Sequence, residues 1–165
     1  MGKVERFIFA AGSAEALKKR HESGDKRKTY GGCKKFMLQI GMKGHLERTV
    51  TADLSAKVWG SGAVDVYATP CMIALVEETA WRSVQDGLEP GQATVGTRLD
   101  VAHLAATPIG MKVWCDTELI EIDRRKLVFA VTAYDETGKI AEGTHERFIV
   151  DVEKFQTKAN AKAAK

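Results

Sequence analysis

The sequence predicts an α+β fold, and three observations carry that reading. One stretch, 70–86, is long, mostly apolar and bounded like a helix. Everything after it reads as four extended segments joined by short turns. No internal repeat competes with one domain built from a single helix and an antiparallel sheet wrapped around it.

Lys43 to Thr51 alternates polar and apolar residues well enough for a first strand. Asp53 to Trp59 is expected to form one or two helical turns, ended by Gly60-Ser61-Gly62. Val64 to Tyr67 is a short strand. Thr69 and Pro70 then open the helix, with Thr69 expected at the N-cap and Pro70 at the first helical position. Gly87 stops it, with Pro90-Gly91 just beyond. The later strands are 93–106, 111–122, 126–134 and 139–152. Their connections are Thr107-Pro108-Ile109-Gly110, Asp123-Arg124-Arg125 and Asp135-Glu136-Thr137-Gly138. Three short turns in a row predict an antiparallel meander.

At 165 residues the chain suits one domain with a real core. Its net charge of +3 is unevenly spread. Residues 1–35 hold ten Lys/Arg against four Asp/Glu, and 154–165 hold four Lys and no acid. The body is therefore acidic, which argues against a nucleic-acid partner. The expected organisation is a basic N-terminal extension over 1–40, with a short helix at 14–21 and a charged, Gly-punctuated linker, then a domain over 41–155 and a basic tail over 156–165. Three dispersed cysteines, Cys33, Cys71 and Cys115, support neither a disulfide framework nor a zinc ribbon. No apolar run approaches the roughly 20 residues of a membrane span, and 7–11 is too short for a signal-peptide core. A cytoplasmic protein with reduced thiols, no membrane partner, no metal and no cofactor is the expectation.

Glu77 is the residue least at home in its segment. Met72, Ile73, Leu75, Val76, Ala80 and Val84 cover more than one helix face around it. A carboxylate among them needs a partner or a task, and such sites are where enzymes tune an acid, base or nucleophile. Glu78 is expected to be the surface residue of the two. Three further polar residues stand out: Thr69, which by itself reads as a cap; His103 on the strand 93–106; and Arg147, which by itself reads as an ion-pair partner. His145 and Glu146 alternate with Arg147, so one or both should point away from it. His145 and His21 show no partner in the sequence, and no spacing supports a metal site.

From about Gly41 to Phe155 the chain resembles the hotdog-fold thioesterases related to fluoroacetyl-CoA thioesterase. The resemblance rests on Ala68-Thr69 before the helix, Met72 to Glu77 within it, and Val95-Gly96-Thr97. It continues through His103 to Gly110, Gly143-Thr144-His145-Glu146-Arg147, and Glu153-Lys154-Phe155. It implies a hotdog homodimer, or a dimer of dimers, with acyl-CoA clefts at the subunit interface. It implies catalytic Thr69, Glu77 and His103, a backbone contact at Gly96, and Arg147 on a CoA phosphate or a carboxylate at the dimer interface. The chain departs from the fluoroacetyl-specific enzyme ahead of Thr69. An aromatic, lid-like segment there is replaced by Gly60-Ser61-Gly62-Ala63, which argues against selectivity for the fluorinated substrate.

The expected activity is hydrolysis of a short acyl-CoA to free acid and CoA. Glu77 would attack the acyl carbon or activate a water, His103 would serve as general acid/base, and Thr69 would join that network or attack itself. Gly96 and a helix-end amide, from Cys71 or Met72, would support the carbonyl oxygen. Thr69 and Glu77 lie about 12 Å apart along one helix, so they cannot touch directly. A non-catalytic acyl-CoA-binding hotdog protein and a hotdog hydratase or dehydratase are the alternatives.

Overall fold

The structure, a computed structural model, describes residues 37–163. Residues 1–36, which include His21, Cys33, the stretch 14–21 expected as a short helix and most of the expected extension, lie outside the described residues. Among the described residues no helix is long and apolar enough to cross a membrane.

Strand β1, Lys43–Thr49, leads through a 3-10 turn, Ala52–Leu54, to helix α1, Thr69–Gln85. Strands β2, Gln92–His103, β3, Lys112–Asp123, β4, Lys126–Asp135, and β5, Gly138–Asp151, follow, and a short helix α2, Val152–Asn160, closes the described chain. The sheet is antiparallel throughout, in the order β1-β3-β4-β5-β2. One face of it packs on α1. Leu127, Phe129, Val131 and Ala133 alternate inward along β4, and α1 meets them with Met72, Leu75, Val76, Ala80 and Val84 at helical spacing.

Two expectations need correction. The four late strands are not one continuous meander. β3, β4 and β5 form one, but β2 pairs with β5 and sits at the sheet edge. The segment 104–111 is therefore no hairpin. Its backbone groups bond elsewhere: the Leu104 N–H to the Ile140 carbonyl, the Thr107 carbonyl to the Tyr67 N–H, and the Gly110 N–H to the Val50 carbonyl. The Thr107 hydroxyl also donates to buried Asp135 at 2.8 Å, tying this connection to the β4–β5 turn. Burial pushes the Asp135 carboxyl up, but hydrogen bonds from Thr137, Thr107 and Gly138 outweigh it and hold the group below its ordinary value.

The second correction concerns the start of α1. Ala68 is the N-cap, Thr69 is the first helical residue, and Pro70 follows it. Thr69 keeps helical geometry, and its hydroxyl is engaged outside the helix rather than on a first-turn amide.

Candidate active site

Two polar clusters lie along the inner side of β2. At its C-terminal end, Thr69 Oγ1 and His103 Nδ1 are 2.8 Å apart. They line a groove of about 330 Å³ whose other walls include Ser61, Gly62, Val64, Val66 and Leu104 to Ala106. The small segment after Trp59 thus borders the groove. The other ring nitrogen of His103, Nε2, is buried and has no hydrogen-bond partner among the described residues. Burial lowers the His103 pKa below 6.5, with an opposing contribution from the Ala105 backbone, so the ring is neutral at pH 7. A hydroxyl in contact with a neutral imidazole is a nucleophile–base arrangement.

Near the N-terminal end of β2, Glu77, Gly96, Arg147 and His145 meet. Arg147 is buried; its Nε donates to Thr94 Oγ1 and its Nη2 to the Thr94 carbonyl, both at 2.8 Å. Its Nη1 lies 3.0 Å from His145 Nε2 and 3.6 Å from Glu77 Oε2. A Cβ on Gly96 would stand 2.6 Å from Glu77 Oε1, so glycine at this position is what lets the carboxylate lie against the strand.

Gly96 and His103 are seven residues apart, so an unbroken strand would face them to opposite sides. The β2–β5 register shifts between Gly96 and Arg98, leaving Thr97 unopposed. This one-residue bulge resets the alternation and turns both positions toward α1. The two clusters nevertheless stay apart: about 20 Å of strand separates Gly96 from His103.

Several residues depart from expectation. The Glu77 side chain is 42% exposed in the single chain, whereas Glu78, expected on the surface, is 28% exposed and bridges Arg48 and Arg82. Helix α1 turns residue 78 toward β1, where Arg48 waits. Arg147 faces inward onto Glu77, with its guanidinium held by Thr94 and His145. Glu146 points away from it, as alternation requires, but His145 shares its face and is fully buried. His145 is legible only as a residue two positions from Arg147; its other partner, the Arg98 carbonyl, comes from β2, which the sequence does not show. The Met72 N–H is bound to the Ala68 carbonyl, which leaves Cys71 as the helix-end amide of the two considered. The Cys71 and Cys115 thiols are free and buried, and burial raises both, Cys115 to about 12. Neither is poised as a nucleophile.

The fluoroacetyl-CoA-specific thioesterase family model matches residues 50–153. The chain belongs to this family. Over 98 residues it is 40% identical to a fluoroacetyl-CoA thioesterase of Streptantibioticus cattleyicolor, an alignment spanning 59% of this chain and 70% of the relative. A crystal structure of the fluoroacetyl-CoA thioesterase FlK superposes with a TM-score of 0.72 at 31% identity, covering 76% of this chain and 97% of that one. A Thermus thermophilus thioesterase-superfamily member gives 0.71 at 25% identity, covering 77% and 94%. The α+β architecture is thus the hotdog fold of that superfamily. The protein is a thioester hydrolase of the acyl-CoA type, and the non-catalytic and hydratase alternatives are not favoured.

Burial lowers the imidazole pKa of both His103 and His145 below 6.5. The unfolded chain then binds more protons than the folded one as pH falls through the imidazole range. Stability is fully present above pH 6.5 and is lost as pH drops through the lowered folded values. Thermal unfolding from pH 7.5 to 5 checks this; a midpoint that holds or rises toward pH 5 contradicts it.

Proposed function

We propose that this protein hydrolyses a short acyl-CoA at a site shared by two subunits. Thr69 and His103 come from one subunit, and Glu77, Gly96 and Arg147 from the other. The observation that carries this reading is the unsatisfied His103 Nε2 on the edge strand β2. A free sheet edge invites strand pairing, and a two-fold axis makes the pairing self-complementary. An antiparallel β2–β2 contact centred on Asp100, with Thr97 bulged out of the register, sets Gly96 opposite the partner's His103. Opposed residues face the same side, with Cα atoms about 5 Å apart. Glu77, which lies against Gly96, is then carried to the partner's His103, whose enclosed Nε2 has no hydrogen-bond partner in the single chain.

The chemistry follows from the pairing. Thr69 Oγ1 attacks the thioester carbonyl and passes its proton to His103 Nδ1. The partner's Glu77 accepts a hydrogen bond from Nε2–H, fixing the tautomer and stabilising the imidazolium. The oxyanion is met by backbone amides, with Gly96 and Cys71 the candidates. His103 returns the proton to the departing CoA sulfur, and water activated by the same imidazole releases the acid from Thr69. Short acyl groups suit the small groove beside Thr69. Solved structures of the relative FlK include complexes with acetyl-CoA and with fluoroacetate and CoA. Gly60 to Ala63 supply no aromatic side chain, which favours acyl groups chosen by size over fluorine.

Subunit complementation tests the proposal. Glu77→Gln and His103→Ala are each crippled as homodimers. Co-expressed with different tags and purified as the mixed dimer, they carry one doubly damaged and one intact site, so turnover recovers to about half of wild type. A mixed dimer no more active than either parent overturns the shared site.

A further inference from the structure

We infer that His145 is a positioning residue for Glu77, acting through Arg147; this rests on Glu77 being a working residue of the site. His145 Cε1 lies against Gly96, 3.2 Å from where a Cβ would stand, and each of its nitrogens has a defined task. Nδ1 lies 2.9 Å from the Arg98 carbonyl, which can only accept, so Nδ1 carries the proton. Nε2 is then a bare lone pair, and Arg147 Nη1 donates to it at 3.0 Å.

That second bond decides where the guanidinium points. Thr94 takes Nε and Nη2. Nη1 donates to His145 and its charge faces Glu77 Oε2, an ion pair at 3.6 Å. His145 also grips β2 at Arg98, the residue where the bulge ends. One neutral imidazole therefore sets both the strand register that turns Gly96 inward and the cation that holds Glu77 beside it.

The surroundings keep the ring neutral. Phe129 on β4 packs beside it, with ring centroids 6.4 Å apart. Arg147 on β5 opposes a second positive charge, whereas Glu77 on α1 and the Arg98 carbonyl on β2 favour one. Burial is the largest influence, and the balance lies below the ordinary imidazole value. A protonated His145 could not accept from Arg147, and the guanidinium would lose its orientation.

The amide of Asn can replace Nδ1–H but does not reach Arg147; the longer Gln can put an oxygen near the place of Nε2. His145→Asn lowers kcat on acetyl-CoA by about tenfold or more with KM little changed, the scale of one hydrogen bond to a charged group. His145→Gln recovers most of that loss. Introduced into Glu77→Gln, which retains measurable turnover, His145→Asn costs nothing further, because its effect passes through the carboxylate. Equal losses in both backgrounds, or no loss in wild type, overturn the inference while leaving the Glu77 reading intact. Full turnover by Glu77→Gln alone overturns both. Nitrogen-15 NMR of the wild-type imidazole provides a readout independent of how the variants fold. A neutral Nδ1–H ring at pH 7 is expected, and an Nε2–H ring or an imidazolium overturns the inference.

Discussion

Glu77→Gln lowers kcat on a short acyl-CoA by about 10²-fold or more, the scale on which acid/base and orienting groups act. Gln keeps the volume of Glu and still offers an oxygen to Arg147 Nη1, so the fold survives. What is lost is the negative charge that stabilises an imidazolium as Thr69 attacks. Arg147, almost fully buried, loses its anionic partner, but its bonds to Thr94 and His145 remain. With Glu77 well exposed in the single chain, the stability change is about 1 kcal/mol. Steady-state kinetics with a thiol-trapping dye, alongside a melting curve, separates the two effects. Unchanged kcat sinks the assignment of Glu77.

Gly143→Ala is the most damaging single methyl expected on the sheet. Gly143 faces Val101 across the β2–β5 ladder, and a Cβ there would overlap the Asp100 carbonyl oxygen and stand 2.7 Å from Val101 Cα. Both obstacles are backbone, held by the ladder that seats β2, so no rotamer change relieves them. The strand must shift or detach, and with it go Gly96 and His103. A loss of at least about 3 kcal/mol, or about 6–12 °C in the melting midpoint, is expected. Gly62→Ala is the control: its Cβ would meet only the Ala56 Cβ at an ordinary 3.5 Å. A Gly143→Ala midpoint within 2 °C of wild type contradicts the close approach.

Much of this architecture was legible because its signals are local. The apolar spacing of Met72, Leu75, Val76, Ala80 and Val84 shows a buried helix face, and alternation along 126–134 shows a strand with one face inward. The start of α1 was displaced by one residue because a Thr before a Pro looks like a cap, while the hydroxyl's partner, His103, lies 34 residues away. The turn at 107–110 has hairpin chemistry, yet its neighbours bond to 50, 67 and 140. Turn propensity cannot report which strands a connection joins. His145 shows no role in the sequence for the same reason: its value lies in Arg98 and Arg147 converging on it.

The sequence by itself determined the helix, the strands, the family, and that Thr69, Glu77, His103, Gly96 and Arg147 are the residues to ask about. Periodicity and motif are written along the chain. Only the tertiary structure decided how those residues group: Thr69 with His103, and Glu77 with Gly96, Arg147 and His145. Grouping depends on strand order and on a single-residue bulge, which alternation alone does not encode, because one inserted residue reverses every side chain beyond it.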